Sequence, residues 1–133
     1  MIRSDIEKLF NLLPKTIYSI SFFKFVFELK TELKPHHDLI VEFREFIKNS
    51  EFMKIEMERS ALVSDKDYAI KIKDLSKKYS SEWNAYILMT NEVNKFFSEE
   101  IKTTTRINLE EVPDKFVETL DDDGIRIFSE FFN

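Results

Sequence analysis

Apolar positions recur along this chain at steps of three and four residues, and that spacing predicts helices. Ile6, Leu9, Phe10 and Leu13 share one helical face behind Ser4 and Glu7, which are spaced as a capping box. Pro14 follows, in a position that suits the first turn of a second helix or a kink. Residues 17–29 fit two patterns. Phe23, Phe25, Phe27 and Leu29 alternate with Lys24, Val26, Glu28 and Lys30 as a strand would, whereas Tyr18, Phe22, Phe25, Leu29 and Leu33 recur at helical spacing. The stretch is long and holds no turn signal, so a helix that is apolar on two sides, and buried more than any other in the protein, is expected, with an α+β fold as the alternative if residues 17–29 form a strand.

Lys34 and Pro35 are expected to end that element, because proline lacks an amide hydrogen and crowds the preceding turn. A new stripe then runs through Leu39, Phe43, Phe46, Ser50, Met53 and Met57, with a break available at Asn49 and Ser50. Ser64 is the expected cap of the next helix. That helix carries the longest stripe: Tyr68, Ile72, Leu75, Tyr79, Glu82, Tyr86, Met89, Val93 and Phe96, with a split available at Ser80 and Ser81. Alternating steps of four and three suit a helix packed along a neighbour. Thr103, Thr104 and Thr105 predict a loop or short extended piece, Asn108 caps a turn, and Pro113 opens a helix holding Phe116, Val117 and Leu120. The expected fold is all-α: one domain over residues 1–133, a bundle of four long, partly kinked helical stretches at 4–33, 36–63, 65–101 and 108–132.

Composition supports helices. Among 133 residues there is one glycine, against fourteen phenylalanines, and folds rich in tight turns or phosphate-cradling loops need more glycine than that. A Phe-rich core follows, with Met53, Met57 and Met89 as packing residues. The absence of cysteine excludes disulfides, thiolate metal sites and cysteine nucleophiles. No secretory leader pattern opens the sequence, and residues 17–29 are too short and too charged to span a bilayer, so a cytoplasmic location is expected.

The single glycine lies in TLDDDGIRIFSE, residues 119–130. Asp121, Asp123, Gly124 and Glu130 match a calcium loop in type, but Thr119 stands where a carboxylate belongs and Arg126 where an apolar residue belongs. A hairpin turning at Asp123 and Gly124 leaves Pro113 without a role. The favoured expectation is a seam between two helices, with Gly124 left-handed just past the first and Ile125 folding back onto it. The three aspartates would then oppose that helix's dipole.

Charge is uneven. Residues 110–133 hold eight acids and two bases, a net −6 in a chain whose total is −5. Such a face accelerates association with a basic partner and discriminates against wrong ones. Glu110, Glu111, Asp114, Glu118, Asp121, Asp122 and Asp123 are the candidate partner-binding residues. The lysines at 66, 71, 73, 77 and 78 are diluted by Asp65, Asp67 and Asp74 and accompany no recognition motif, so direct nucleic-acid binding is not expected. His36 and His37 project about 100° apart on a helix and cannot easily share a metal. No nucleotide-binding or hydrolase motif is present. No catalytic residue, metal or cofactor is expected. The sequence thus predicts a small non-catalytic protein-binding factor of the inhibitor, immunity or regulatory type, docking its acidic C-terminal face on a basic surface such as that of a toxin or nucleic-acid-binding protein. A homo-oligomeric helical scaffold or assembly factor is the alternative, and a bundle holding an apolar ligand is a third reading.

Overall fold

The computed structural model describes residues 1–133 throughout and is all-α. The helices are α1 (Arg3–Leu12), α2 (Ile20–Lys48), α3 (Glu51–Ser60), α4 (Tyr68–Lys78), α5 (Trp83–Ser98), α6 (Asp114–Val117) and α7 (Asp122–Ser129), with a 3₁₀ turn at Leu109–Glu111. The only sheet-like pairings are isolated bridges, Ile2 with Glu100 and Ile107 with Phe132. None of the helices is long and apolar enough to cross a membrane.

Residues 17–29 are not a strand. Ser19 accepts the Phe22 amide through its hydroxyl at 3.2 Å, and α2 starts beside it. Pro35 does not end this helix either. Phe22, Val26, Leu29, Leu33, Ile40 and Ile47 are all buried, and their 4–3–4–7–7 spacing runs through the proline without a change of register. Burying that stripe offsets the roughly 3 kcal/mol that an interior proline costs. Lys34 and Asp38 pair across it at 3.0 Å. Of the expected stripe, Phe43, Ser50 and Met53 are half-buried, with Phe43 stacked on Phe96, whereas Leu39, Phe46 and Met57 are exposed and Ile40, Ile47 and Ile55 are buried beside them.

Breaks do occur near Asn49 and Ser50 and between α4 and α5 at Ser80 and Ser81; with further breaks at 13–19 and 118–121 and none at Pro35, seven helices stand in place of four stretches. Neither Ser4 nor Ser64 is a cap: Ile2 and Asp67 precede α1 and α4. Ser4 lies inside α1, whose entry is fixed by backbone pairing, with Arg3 N donating to Glu99 O at 2.9 Å and Ile101 N to Met1 O at 2.7 Å.

The chain divides into two compact units. Unit 1 is Met1–Leu39 with Phe97–Asn133, and unit 2 is Ile40–Phe96. Unit 1 has an aromatic core. Phe22 and Phe116 lie 4.8 Å apart between ring centres and Phe116 and Phe128 lie 5.1 Å apart, beside Leu9, Leu29 and Phe131, all fully enclosed. Unit 2 buries Ile55, Leu75, Tyr79 and Tyr86 against Phe52, Leu62, Ile72 and Trp83. Within it Glu56 accepts from Tyr86, Arg59 and Ser60. The Arg59 bonds first, and the Tyr86 bond after them, hold the Glu56 carboxyl below its usual value despite partial burial.

Candidate acidic docking surface

Two buried anchors set the course of the acidic segment. Val112 and Phe116 point into unit 1, and the residues around them, Glu110, Glu111, Asp114 and Glu118, are left facing solvent. Pro113, at φ −65°, precedes α6 as expected and orients its first turn. Asp114 and Glu118 are one helical turn apart and so lie on the same side.

The stretch around Gly124 differs from the expected seam. Asp121 is the N-cap of α7, and its carboxylate accepts the Gly124 amide at 2.8 Å. Gly124 therefore lies in the first turn of a helix, and no residue of the chain has a left-handed backbone. The aspartates stand at a helix N-terminus, where the dipole favours them, not at a C-terminus. Gly124 serves close packing. A Cβ there would come within 3.2 Å of Asp121 Oδ1 and Leu120 Cδ2 and 3.3 Å of Leu12 Cδ1. The seam reading rested on glycine's conformational freedom, whereas this position uses its lack of a side chain.

All seven candidate residues are exposed, but they divide into two kinds. Asp121 is occupied as a cap. Asp123 accepts from Arg126 at 2.8 Å and from Lys8 at 3.1 Å, and these bonds, Arg126's first, hold its carboxyl below the usual aspartate range. Arg126 also grips the buried Asp5 through both terminal nitrogens, at 2.9 and 3.3 Å, which fastens α7 to α1. Glu110, Glu111, Asp114, Glu118 and Asp122 have no cation within bonding distance. They form the unneutralised part of the surface.

A Glu32 clamp holds the approach to this segment. Its two carboxylate oxygens accept the amides and hydroxyls of Thr104 and Thr105. Burial alone would raise its pKa, but the hydrogen bonds from Thr105 and Thr104 outweigh that and lower it. The three threonines are the expected loop; their anchorage on α2 left no signal in the local sequence.

Unit 2 has a cleft of about 410 Å³ floored by Leu62 and Leu75. On its rim, Lys78 donates to Glu58 at 2.7 Å, and Lys71 is bonded to Asp65. No group of three or more His, Asp or Glu side chains converges on a point that would hold a metal ion. His37 stacks on Phe10 with ring centres 4.3 Å apart. Comparison with known protein families, curated sequences and solved structures finds no match.

Proposed function

We propose that this protein is a non-catalytic, cytoplasmic binding factor of the inhibitor, immunity or regulatory type, which docks the C-terminal surface of unit 1 on a basic protein surface. The supporting observation is that Glu110, Glu111, Asp114, Glu118 and Asp122 are exposed and uncompensated on a segment anchored by Val112 and Phe116. Exposed, unpaired carboxylates stay hydrated until a cation meets them, and they steer a basic partner during encounter. Asp121 and Asp123 belong to this surface chiefly as its scaffold. Occlusion of the partner's own basic site is the mode of action, and a bundle of helical stretches is the support.

The test compares the natural chain with one carrying Glu110→Gln, Glu111→Gln, Asp114→Asn, Glu118→Gln and Asp122→Asn, each used to capture partners from the source cell. The expected result is a partner with a basic surface, held by the natural chain, lost by the neutralised one, and released steeply as salt rises. Capture that ignores the substitutions, or that selects acidic partners, rejects the reading.

A homo-oligomeric scaffold is the second reading. Its support is in unit 2, where Phe46, Met57, Ile70 and Leu88 are largely solvent-exposed and ten acids balance ten bases. Large apolar side chains exposed on a neutral unit suit self-association. Sedimentation equilibrium separates the two: a monomer at all concentrations removes the scaffold reading.

A further inference from the structure

Unit 1 carries a second exposed surface, opposite in sign to the acidic one. The connection between α1 and α2 and the first turns of α2 enclose a groove of about 350 Å³, lined by Pro14, Lys15, Thr16, Ile17, Phe23, Val26, Phe27 and Lys30. Its apolar walls are open to solvent: Ile17 is 69% exposed, Phe27 62% and Phe23 49%. Phe23 and Phe27 lie face to face with ring centres 6.5 Å apart, and Ile20, one turn before, is 79% exposed. No carboxylate lines the groove. Lys15 and Lys30 at its rim have no carboxylate within bonding distance, whereas other lysines of the chain, among them Lys8, Lys34, Lys71 and Lys78, do. The nearest acid along α2, Glu28, lines a separate depression with Arg106 and Ile107.

The core does not require these apolar side chains. Phe22, Phe25, Val26 and Leu29 bury the inner face of the same helix, and Phe23, Phe27 and Ile20 fall on the outer one. Aromatic side chains left uncovered beside unpaired cations form the recognition pattern for an amphipathic segment of opposite charge. We propose that this groove binds a short acidic, amphipathic segment of another protein, its aliphatic or aromatic side chains seated between Ile17 and Phe27 and its carboxylates meeting Lys15 and Lys30. The volume lies at the low end for a binding cleft, about 300–1,000 Å³, and suits one or two inserted side chains, not a large ligand. A lipid surface fits less well. The groove is concave and admits one or two side chains, whereas a bilayer presents a broad surface.

The test uses the full chain and a labelled helical peptide with Leu and Phe on one face and Glu on the other, followed by fluorescence anisotropy. Three comparisons accompany it: the same peptide with Lys for Glu, the double variant Lys15→Glu/Lys30→Glu, and Phe27→Ser. A Lys66→Glu/Lys77→Glu variant makes the same change in net charge at residues that do not line the groove. The Glu peptide is expected to bind, the Lys peptide is not, and the rim variant and Phe27→Ser are each expected to weaken binding by about tenfold, a rim-and-anchor effect. The Lys66/Lys77 control is expected to leave it unchanged. Absence of binding, equal binding of both peptides, or an equal loss in the control overturns the proposal. So does Phe27-dependent sedimentation with phosphatidylserine vesicles in place of peptide binding, which marks a membrane site. Self-association abolished by Phe27→Ser overturns it in favour of a second copy. All variants change exposed side chains, and circular dichroism checks that each remains folded.

Discussion

Unit 1 and unit 2 are built by the same chain but solve the burial problem differently. Unit 1 encloses fifteen hydrophobic side chains and unit 2 encloses six. The whole net charge of −5 belongs to unit 1, and unit 2 is neutral. Unit 1 spends most of its aromatic residues on a closed core, and outside it leaves the groove side chains together with Ile2, Ile20, Leu39, Leu109 and Ile125. Unit 2 closes a small aromatic cluster around Tyr86, adds the Glu56–Arg59 network, and leaves Phe46, Met57, Ile70 and Leu88 outside. Fewer enclosed apolar side chains mean less stabilisation from burial. Unit 1 thus provides the rigid base that a charged docking surface needs, and unit 2 is the region expected to open first.

Core truncation gives the strongest test of this difference. Phe116→Ala removes the ring that meets Phe22, Phe128 and Tyr18 and is expected to cost about 3–5 kcal/mol, read from denaturant unfolding. Ile55→Ala in unit 2 is expected to cost about 3 kcal/mol. Native-state hydrogen exchange should show that loss only at amides of Ile40–Phe96. If Ile55→Ala lowers protection equally in unit 1, the units open as one and the contrast fails.

The next largest effect concerns Gly124. Gly124→Val is expected to cost about 2 kcal/mol, because its branches collide with the Asp121 cap and with Leu12 across the α1–α7 contact. Gly124→Ala stays within about 1 kcal/mol, since helix propensity and crowding oppose each other. A gain from valine would mean that the close approach is not what keeps this position free of a side chain.

A smaller difference separates the scaffold carboxylates from the free ones. Asp121→Ala should cost about 1 kcal/mol through loss of the α7 cap. Glu118→Gln should change stability by less than about 0.5 kcal/mol, as surface changes without a partner do. Partner association should rank them in reverse, with Glu118→Gln slowing the on-rate. Equal stability losses would show that the surface is uniform and that its division into two kinds is unfounded.

What was legible in the sequence follows from what each signal measures. The stripe from Tyr68 to Phe96 was readable because every step is local: Leu75, Tyr79 and Tyr86 are buried as its period demands, even across the break at Ser80. The stripe from Leu39 is only half legible: Leu39 and Phe46 stand next to Ile40 and Ile47, both pairs fit helical spacing with Phe43, and tertiary burial selects the isoleucines. Gly124 was placed at a helix end because the sequence shows that glycine is needed but not why. Here the reason lies in crowding by Asp121, Leu120 and Leu12, the last over a hundred residues away. Acidity was legible as a sum. The separation of Asp121 and Asp123 from their free neighbours was not, since it depends on Lys8 and on a cap at the other end of a turn. The groove of Ile17, Phe23 and Phe27 was hidden by the assumption that a helix apolar on two sides is buried on both.

The smallest effect expected is a pH-dependent one, and it bears on how unit 1 holds its acidic segment. Glu32 binds four donors from Thr104 and Thr105 and has its pKa lowered on folding. A carboxyl with a depressed folded pKa contributes stability that is complete above its unfolded value and is lost as pH falls through the folded one. Glu32→Gln retains an accepting oxygen but places an amide group against the other two donors. It is expected to cost about 1 kcal/mol at pH 7. That cost should shrink as the pH falls below the ordinary glutamate value of 4.5, because the natural chain then loses the same carboxylate by protonation. Urea midpoints of the two chains at pH 7 and at pH 3 measure it directly. Glu56 in unit 2 also has a lowered pKa, so both chains weaken in acid, and only the difference between them reports on the clamp. A gap that stays constant from pH 7 to pH 3 would mean that Glu32 holds the threonine loop by shape and not by charge. The docking surface beyond it would then keep its anchorage in acid.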